Sequence, residues 1–212
     1  MNRITNPVEI EKRSFEIITE KLAGRQLDQQ NMNVIKRVIH TTADFDYADN
    51  LIFSDGAVNA AKEFLKNGAR IVTDTQMGKA GVNKSAAALL GCEIHCFIDA
   101  PEVYAIAKAN ESTRARAAVD QAAEILEGPL IFAVGNAPTA LVRLHELITG
   151  RGFQPALIIA VPVGFVNVVE SKELILGLPL PHIVAKGQKG GSNVAAAICN
   201  ALLYEAAERM MN

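Results

Sequence analysis

The stretch "PLIFAVGNAPTALVRLHELITGRGFQPALIIAVPVG", residues 129–164, contains the pattern from which the fold class follows. Two short apolar runs, "PLIFAVG" and "ALIIAVPVG", lie on either side of a helical pattern over residues 137–150. Short apolar runs bounded by glycine and proline are typical of buried strands. Because a helix separates the two runs, we predict that they lie parallel in one sheet.

The same alternation extends over most of the chain. Three more runs, "ARIVTD", "CEIHCFID" and "HIVAKG", predict strands, which makes five. Further helices are predicted over residues 54–67, 83–90, 112–127, 168–176 and 192–210, and two earlier ones over residues 7–24 and 28–40, with Asp28 as an N-cap. We therefore expect one α/β domain over residues 1–212: a doubly wound, mostly parallel five-stranded sheet with helices on both faces and an N-terminal helical layer.

Composition argues against several classes of partner. The 21 basic and 23 acidic side chains leave a formal charge of −2, without the basic surplus of a nucleic-acid-binding protein. No apolar run approaches the length of a membrane span, and the N-terminus lacks the apolar centre of a signal peptide. We expect no nucleic-acid partner, no membrane association and a cytoplasmic location.

Three cysteines are too few and too irregularly spaced for a disulfide scaffold, so reduced thiols are expected. Cys92 and Cys96 are four residues apart, and in a strand that spacing spans about 13 Å, too far for one metal ion. No metal site is predicted.

Small and polar residues follow the predicted strands, at the sheet edge where α/β proteins bind ligands. These loops read "TDTQMGKAGVNKS", "VGNAPTA", "PVGFVNVVESKE" and "KGQKGGSN". "GKAGVNKS" lacks the Gly-Lys-Ser/Thr ending of a phosphate loop, and no Gly-x-Gly-x-x-Gly follows the first strand. Nucleoside triphosphates and dinucleotides are therefore disfavoured as ligands.

Two of these loops have both a structural and a binding interpretation. Gly190 and Gly191 precede a long helix with Ser192 as a possible cap, and their N–H groups could accept a carboxylate or phosphate. The spacing alone favours a tight turn from strand to helix. Asn136 and Pro138 similarly start a helix, yet their loop would face the cleft.

His40 has the strongest catalytic prospect among the four histidines. It is placed in the last turn of the second helix, where unpaired carbonyls favour the imidazolium and can raise its pKa, giving a proton donor near neutral pH. Arg37 shares its helical face, so one anion could bind both side chains; without a ligand, the charge of Arg37 would oppose that of His40. The alternative is a simple C-terminal cap. The remaining histidines are expected to be structural: His95, His145 and His182. Three following acids are expected to be solvated: Asp44, Asp46 and Asp49.

Six motifs together resemble one enzyme family. "EKRSFEII", "KRVIHTT", "NESTRA", "AVGNAPTAL", "PVGFVNVVESKE" and "GGSNVAAA" occur in this order over nearly the whole chain and resemble precorrin-8X methylmutase, also called precorrin isomerase. The resemblance implies a cobalamin-pathway isomerase with a doubly wound α/β fold, a homodimer that needs no separate cofactor. The family moves a methyl group on a corrinoid from a bridging ring carbon to the adjacent carbon of ring C. The product is hydrogenobyrinic acid or, in the cobalt pathway, cobyrinic acid.

The resemblance also implies roles for individual residues. The catalytic histidine of the family corresponds to His40, and residues that contact the substrate correspond to Ser14 and Arg37. In "NESTRARAA" the spacing differs from that of some members, so Arg114 is the better candidate for a substrate-binding arginine and Arg116 the alternative.

The glycine-containing loops are expected to shape the macrocycle pocket, with these contacts: Asn136, Gly164, Gly191 and Ser192. We hypothesise that protonated His40 donates a proton or a strong hydrogen bond to a ring nitrogen during methyl migration. A non-catalytic tetrapyrrole carrier is the competing interpretation, and a nucleotide- or sugar-acid-binding enzyme ranks third. The sequence leaves open whether the substrate contains cobalt.

Overall fold

The computed structural model describes residues 5–207 of the 212-residue chain. Its strands are β1 (Leu51–Phe53), β2 (Arg70–Thr73), β3 (Glu93–His95), β4 (Leu130–Val134), β5 (Leu157–Ala160) and β6 (His182–Ala185). They form one sheet in the order β1-β6-β5-β4-β2-β3. The five predicted strands are confirmed and are mutually parallel. The predicted count of five is wrong by one strand.

The additional strand, β1, lies at the edge of the sheet and runs antiparallel to β6. Leu51 pairs with Ala185 and Phe53 with Ile183. With three residues, β1 is too short to show an alternating pattern, and helical and acidic residues precede it. Its conformation is set by pairing with β6, which lies far away in sequence.

The helices are α1 (Pro7–Leu22), α2 (Met32–Thr42), α3 (Tyr47–Asn50), α4 (Ala57–Lys66), α5 (Gln76–Gly81), α6 (Lys84–Leu89), α7 (Pro101–Ala109), α8 (Arg114–Ile125), α9 (Pro138–Arg151), α10 (Val168–Leu176) and α11 (Ser192–Ala206). The short helices α3, α5 and α7 were not predicted. Asp28 is not the N-cap of α2, because its carboxylate accepts the Gln30 N–H at 2.9 Å ahead of the helix. The end of the predicted helix over residues 192–210 lies outside the described residues.

Helices cover both faces of the sheet, as predicted. Along β4, Ile131 and Ala133 face a core shared with α2, α4 and α11, whereas Phe132 and Val134 face a core shared with α8, α9 and α10. This two-residue alternation is the geometry of an extended strand. The N-terminal layer is also present, since Ile18 and Leu22 of α1 join the first core.

The strand order creates a topological switch point. The chain leaves β2 toward β3 on one side, whereas it leaves β4 toward β5 on the other, although β2 and β4 are neighbours. Connections that diverge in this way open a crevice at the carboxyl ends of the two strands, where ligands bind in doubly wound folds. A ligand-binding site is therefore expected at the loops after β2 and β4.

Candidate active site

Asp74, directly after β2, organises the switch point. Its carboxylate is buried and accepts backbone N–H groups of Gly135, Asn136 and Ala137 at 2.9, 2.8 and 2.7 Å. Burial raises the pKa of Asp74, and these hydrogen bonds oppose the rise. These three backbone donors of the loop after β4 are thus already occupied, whereas the side chain of Asn136 is exposed and free to meet a ligand. The sequence signal for this role was an acid directly after an apolar strand.

The glycines before α11 serve close packing. The Gly191 N–H donates to the Val161 carbonyl at 2.8 Å, and a Cβ on Gly190 would overlap the same carbonyl oxygen. Ser192 is the first residue of α11 and does not cap it; its hydroxyl lies 2.7 Å from the hydroxyl of Thr75. The interpretation as a tight turn from strand to helix therefore holds.

The loop after β5 presents apolar side chains to solvent. Gly164 has a φ of 145°, and its N–H donates to the Gln188 carbonyl at 3.1 Å, which joins this loop to the loop after β6. Phe165 is 86% exposed and Val166 76% exposed. Exposed apolar side chains grouped in one loop are typical of a surface that binds a ligand or another chain.

Lys172, in α10, is a buried cation that the sequence analysis missed. Its side chain is almost inaccessible, and its Nζ donates to the carbonyls of Gly187 and Lys189 at 2.7 and 2.9 Å. Burial lowers its pKa to about 8. It therefore holds residues 186–191, called the glycine loop below, against α10.

The two arginines of α8 have different surroundings. Arg116 forms a double hydrogen bond with the carboxylate of Glu146, so its guanidinium is engaged in an ion pair between helices. The guanidinium of Arg114 lies 4.7 Å from the ring centroid of Tyr104, donates to the Tyr104 hydroxyl and lies 3.7 Å from the Asp99 carboxylate. Its side chain is 44% exposed, against 32% for Arg116. This difference favours Arg114 over Arg116 as the arginine that remains available to a ligand.

Arg114 also lies beside the start of α9. The hydroxyl of Thr113, the N-cap residue of α8, is 2.8 Å from that of Thr139 in the first turn of α9. Because α9 follows the β4 loop, this contact brings Arg114 toward the carboxyl edge of the sheet.

His40 and Arg37 are joined through an aromatic ring. The His40 ring stacks on Phe15 with centroids 5.0 Å apart, and the Arg37 guanidinium lies 4.8 Å from the same ring and 5.2 Å from that of Tyr204. Arg37 donates to Glu11 at 2.8 Å, and its Nε is buried without a hydrogen-bond partner among the described residues. Arg37 is thus held in place, with its charge already paired.

The predicted rise in the pKa of His40 is wrong for the ligand-free protein. Burial and the charge of Arg37 lower this pKa, and the smaller opposing effect of the Glu11 carboxylate does not cancel them. The carbonyls at the end of α2 are also largely satisfied: that of Ile39 accepts the Ala43 N–H at 2.7 Å, and that of Val38 accepts the Thr42 hydroxyl at 2.8 Å. The His40 ring is covered on one side by Phe15 while the residue stays accessible to solvent on the other, and it is neutral near pH 7.

Ser14 precedes Phe15 on α1. Its hydroxyl donates to the Ile10 carbonyl at 2.8 Å, so the lone pairs of its oxygen remain available as acceptors. It is half-buried on the same short segment that supports His40.

The three acids after α2 were predicted to be solvated. Each of them instead forms an ion pair with a basic side chain. Lys189 of the glycine loop lies 2.6 Å from a carboxylate oxygen of Asp44 and 2.6 Å from one of Asp46, while Asp49 pairs with Arg25 at 2.7 Å. No hydrogen bond or ring contact joins His40 to Asn136, Gly164, Gly191 or Ser192 in the described chain. The Lys189 ion pairs connect the residues that follow the His40 helix with the carboxyl edge, in addition to the packing of α2 on α11.

His182, His95 and Cys92 have local partners. His182 is buried with Nδ1 at 2.9 Å from the Leu180 carbonyl, and His95 lies 2.9 Å from Glu93. Burial raises the pKa of Cys92 to about 11. Within residues 5–207, no three His, Cys, Asp or Glu side chains are grouped to hold a metal ion. In the same range, no helix has both the length and the apolar composition needed to cross a membrane.

The doubly wound sheet, its topological switch point and the histidine on a covering helix place the chain in the class of α/β proteins that bind ligands at the carboxyl edge of the sheet. The chain belongs to the precorrin-8X methylmutase family, whose family model matches residues 9–205. Members of this family are isomerases of cobalamin biosynthesis.

Several relatives are similar over nearly their full length. The cobalt-precorrin-8 methylmutase of Salmonella typhimurium is 44% identical over 98% of this chain and 100% of the relative. The enzyme of the same name from Leptospira interrogans is 41% identical over 99% of each. The crystal structure of precorrin-8x methyl mutase from Thermus thermophilus has a TM-score of 0.87 at 40% identity, covering 94% of this chain and 98% of that one.

Proposed function

We propose that this chain moves a methyl group within a precorrin-8-type corrinoid, with His40 as the proton donor. The observation that carries the role of His40 is its exposed ring, stacked on Phe15 beside the Arg37 charge. This arrangement holds an imidazole rigidly while leaving it open to a bound ligand. Rigid positioning of the acid is a main source of catalytic rate.

Substrate binding would convert His40 into an acid. In the free protein burial and Arg37 lower its pKa, so the ring is neutral. A corrinoid carries carboxylates, and one placed beside His40 and Arg37 would raise the pKa of the imidazole. Protonation of His40 is thus coupled to the arrival of the substrate.

The protonated ring then donates a strong hydrogen bond or its proton to a nitrogen of the macrocycle, and a proton given up in this step returns to His40 as the product forms. The bond between the methyl group and the bridging carbon breaks as a bond to the adjacent carbon of ring C forms, and the conjugated system shifts at constant mass. A well-placed general acid contributes about a hundred- to ten-thousandfold to such a step.

The loops at the carboxyl edge supply the rest of the proposed pocket. The exposed apolar loop around Phe165 suits the flat face of a macrocycle, and the half-exposed guanidinium of Arg114 suits a carboxylate at its rim. Five further contacts are carried forward from the family motifs: Ser14, Asn136, Gly164, Gly191 and Ser192.

The proposal includes the cobalt-containing substrate. The two relatives at 41% and 44% identity are named for cobalt-precorrin-8, which favours the cobalt form over the metal-free one. The metal would arrive within the substrate, so the protein needs no ligands or cofactor of its own.

We also propose one domain over residues 1–212 and a homodimer. The single sheet and the family match over residues 9–205 support one domain. The exposure of Val163, Phe165 and Val166 supports a second chain at this surface. A cytoplasmic location stays an expectation.

The decisive experiment is incubation of the purified protein with cobalt-precorrin-8 and, separately, with precorrin-8X, followed by absorption spectra and mass analysis. Isomerisation gives a change in the spectrum at constant mass. A tetrapyrrole carrier would instead retain a bound corrinoid with an unaltered spectrum. Single- and multiple-turnover conditions separate slow product release from the absence of chemistry.

His40→Ala is expected to keep the fold and corrinoid binding while losing about a hundred- to ten-thousandfold in turnover. The matched control is His145→Ala, which removes a half-buried histidine from α9 on the opposite face and should leave turnover unchanged. Undiminished turnover of His40→Ala would remove His40 from the proposed mechanism.

A further inference from the structure

Lys172 is an unusual residue to bury. Its side chain is 1% exposed, and no carboxylate lies within 4 Å of its Nζ in the described residues. A buried ammonium loses its hydration, and methionine would fill much the same volume without that loss. Its two hydrogen bonds to backbone carbonyls are therefore what distinguishes lysine from an apolar residue here.

Both hydrogen bonds go to the glycine loop. Lys172 reaches the carbonyls of Gly187 and Lys189, and the carbonyl between them, that of Gln188, accepts the Gly164 N–H. Three consecutive carbonyls of the loop are thus bound to fixed parts of the fold. A loop with two glycines at its end and one at position 187 would otherwise have wide conformational freedom.

The same loop carries Lys189 to the end of α2. The Lys189 Nζ lies 2.6 Å from Asp44 and 2.6 Å from Asp46, and Lys189 is the first cause of the lowered pKa of Asp44. An exposed ion pair contributes little when both side chains must be ordered for it. Because Lys172 binds the carbonyl of Lys189 itself, the backbone of this residue is already fixed and less entropy is lost on pairing.

Asp44 lies four residues after His40. Its N–H donates to the Thr42 hydroxyl at 3.2 Å, and its second carboxylate oxygen accepts the Asp46 N–H at 3.0 Å. Lys186, at the start of the glycine loop, adds a backbone hydrogen bond to the Asn50 carbonyl at 2.8 Å. An unbroken series of bonds therefore runs from Lys172 to the end of the helix that bears His40.

We infer that Lys172 is a positioning residue for the methyl migration: it holds the glycine loop so that Lys189 clamps Asp44 and Asp46 and fixes the end of α2, and with it the His40 ring. This inference rests on the proposed function, because it assigns the precision of that ring a role in turnover. Lys172 itself touches no substrate.

The test uses four variants and one control. Lys172→Met fills the space but donates no hydrogen bond, Lys189→Met removes the ion pairs, and Lys189→Arg keeps them; the fourth combines Lys172→Met with Lys189→Met. The control is Lys186→Met, an exposed lysine of the same loop whose side chain has no partner among the described residues. Each is assayed for kcat and KM with cobalt-precorrin-8 and by hydrogen exchange of residues 38–46 and 186–191.

We expect Lys172→Met and Lys189→Met each to lower kcat about tenfold with KM changed less than about twofold, since small misplacement of a catalytic group costs rate more than binding. The double variant should be no slower than the slower single one, because both changes break the same series of bonds. Exchange in residues 38–46 should be faster in both single variants. Lys189→Arg and Lys186→Met should behave as wild type.

The inference is overturned if the losses of kcat in the double variant are additive, or if Lys172→Met leaves hydrogen exchange in residues 38–46 unchanged. Either result would mean that Lys172 only fills space in the core. If Lys172→Met does not fold, Lys189→Met with wild-type kcat overturns it equally. A wild-type protein that isomerises neither corrinoid contradicts the proposed function instead, and the exchange measurements still test the bond series separately.

Discussion

Arg37 shows how one side chain can set the chemistry of its neighbour. Its guanidinium lies between the rings of Phe15 and Tyr204, pairs with Glu11 and lowers the pKa of His40. Burial lowers this pKa most, and the charge of Arg37 acts in the same direction, so both favour the neutral imidazole in the absence of a further negative charge. The electrostatics of the ligand-free site thus oppose early protonation.

Arg37→Met is expected to raise the pKa of His40, because it removes a positive charge and leaves Glu11 without its partner. The measurement is the titration of the imidazole C2 proton by NMR, with the signal assigned by its loss in His40→Gln. Lys36→Met is the matched control, since Lys36 lies on the same helix but is not among the causes that shift this pKa. An unchanged or lower pKa in Arg37→Met would contradict the electrostatic account.

The contact between the β4 loop and the start of α11 depends on a missing side chain. A Cβ on Gly135 would lie 2.7 Å from the Ser192 Cα, so the two backbones meet directly. Asp74 holds the other side of the same loop. The elements at the switch point are therefore packed backbone to backbone, with little room to adjust.

Gly135→Ala is expected to lower the free energy of unfolding by about 1–3 kcal/mol, as overpacking does in tightly packed interiors. Gly150→Ala in the last turns of α9 is the matched control: no atom lies within 4 Å of its added Cβ, so the higher helix propensity of alanine should stabilise the protein by up to about 1 kcal/mol. Urea denaturation of both variants checks this pair. Equal effects of the two substitutions would show that the contact at Gly135 is not tight.

Phe165 is 86% exposed and belongs to a loop that also exposes Val163 and Val166. Monomeric proteins seldom leave several apolar side chains exposed together. This surface is therefore the proposed contact between two copies of the protein.

We predict that the wild-type protein sediments with twice the 22.7 kDa mass of one chain, and that Phe165→Glu shifts this equilibrium toward the monomer. Sedimentation equilibrium over a range of concentrations measures both. Leu89→Glu, at an exposed leucine of α6, is the control and should leave the association unchanged. A wild-type monomer at micromolar concentration would contradict the homodimer.

Local patterns were enough to determine much of this protein. The apolar runs predicted five parallel strands correctly. Four of these strands, β2, β4, β5 and β6, are largely buried, and a strand buried on both faces consists of consecutive apolar residues. The 3.6-residue pattern placed α9 and α11, and six short motifs identified the family. Such features depend on residues close together in the chain.

Only the tertiary structure decided which distant groups meet. It added β1 through pairing with β6 and brought Asp74 under the β4 loop. It paired Arg116 with Glu146 and left the Arg114 side chain more exposed, and it lowered the pKa of His40 where the isolated helix suggested a rise. Lys172 and the glycine loop are joined in the same way. These features depend on burial and on contacts between elements that are distant in the chain. Neither burial nor such contacts can be predicted from a local pattern of residues.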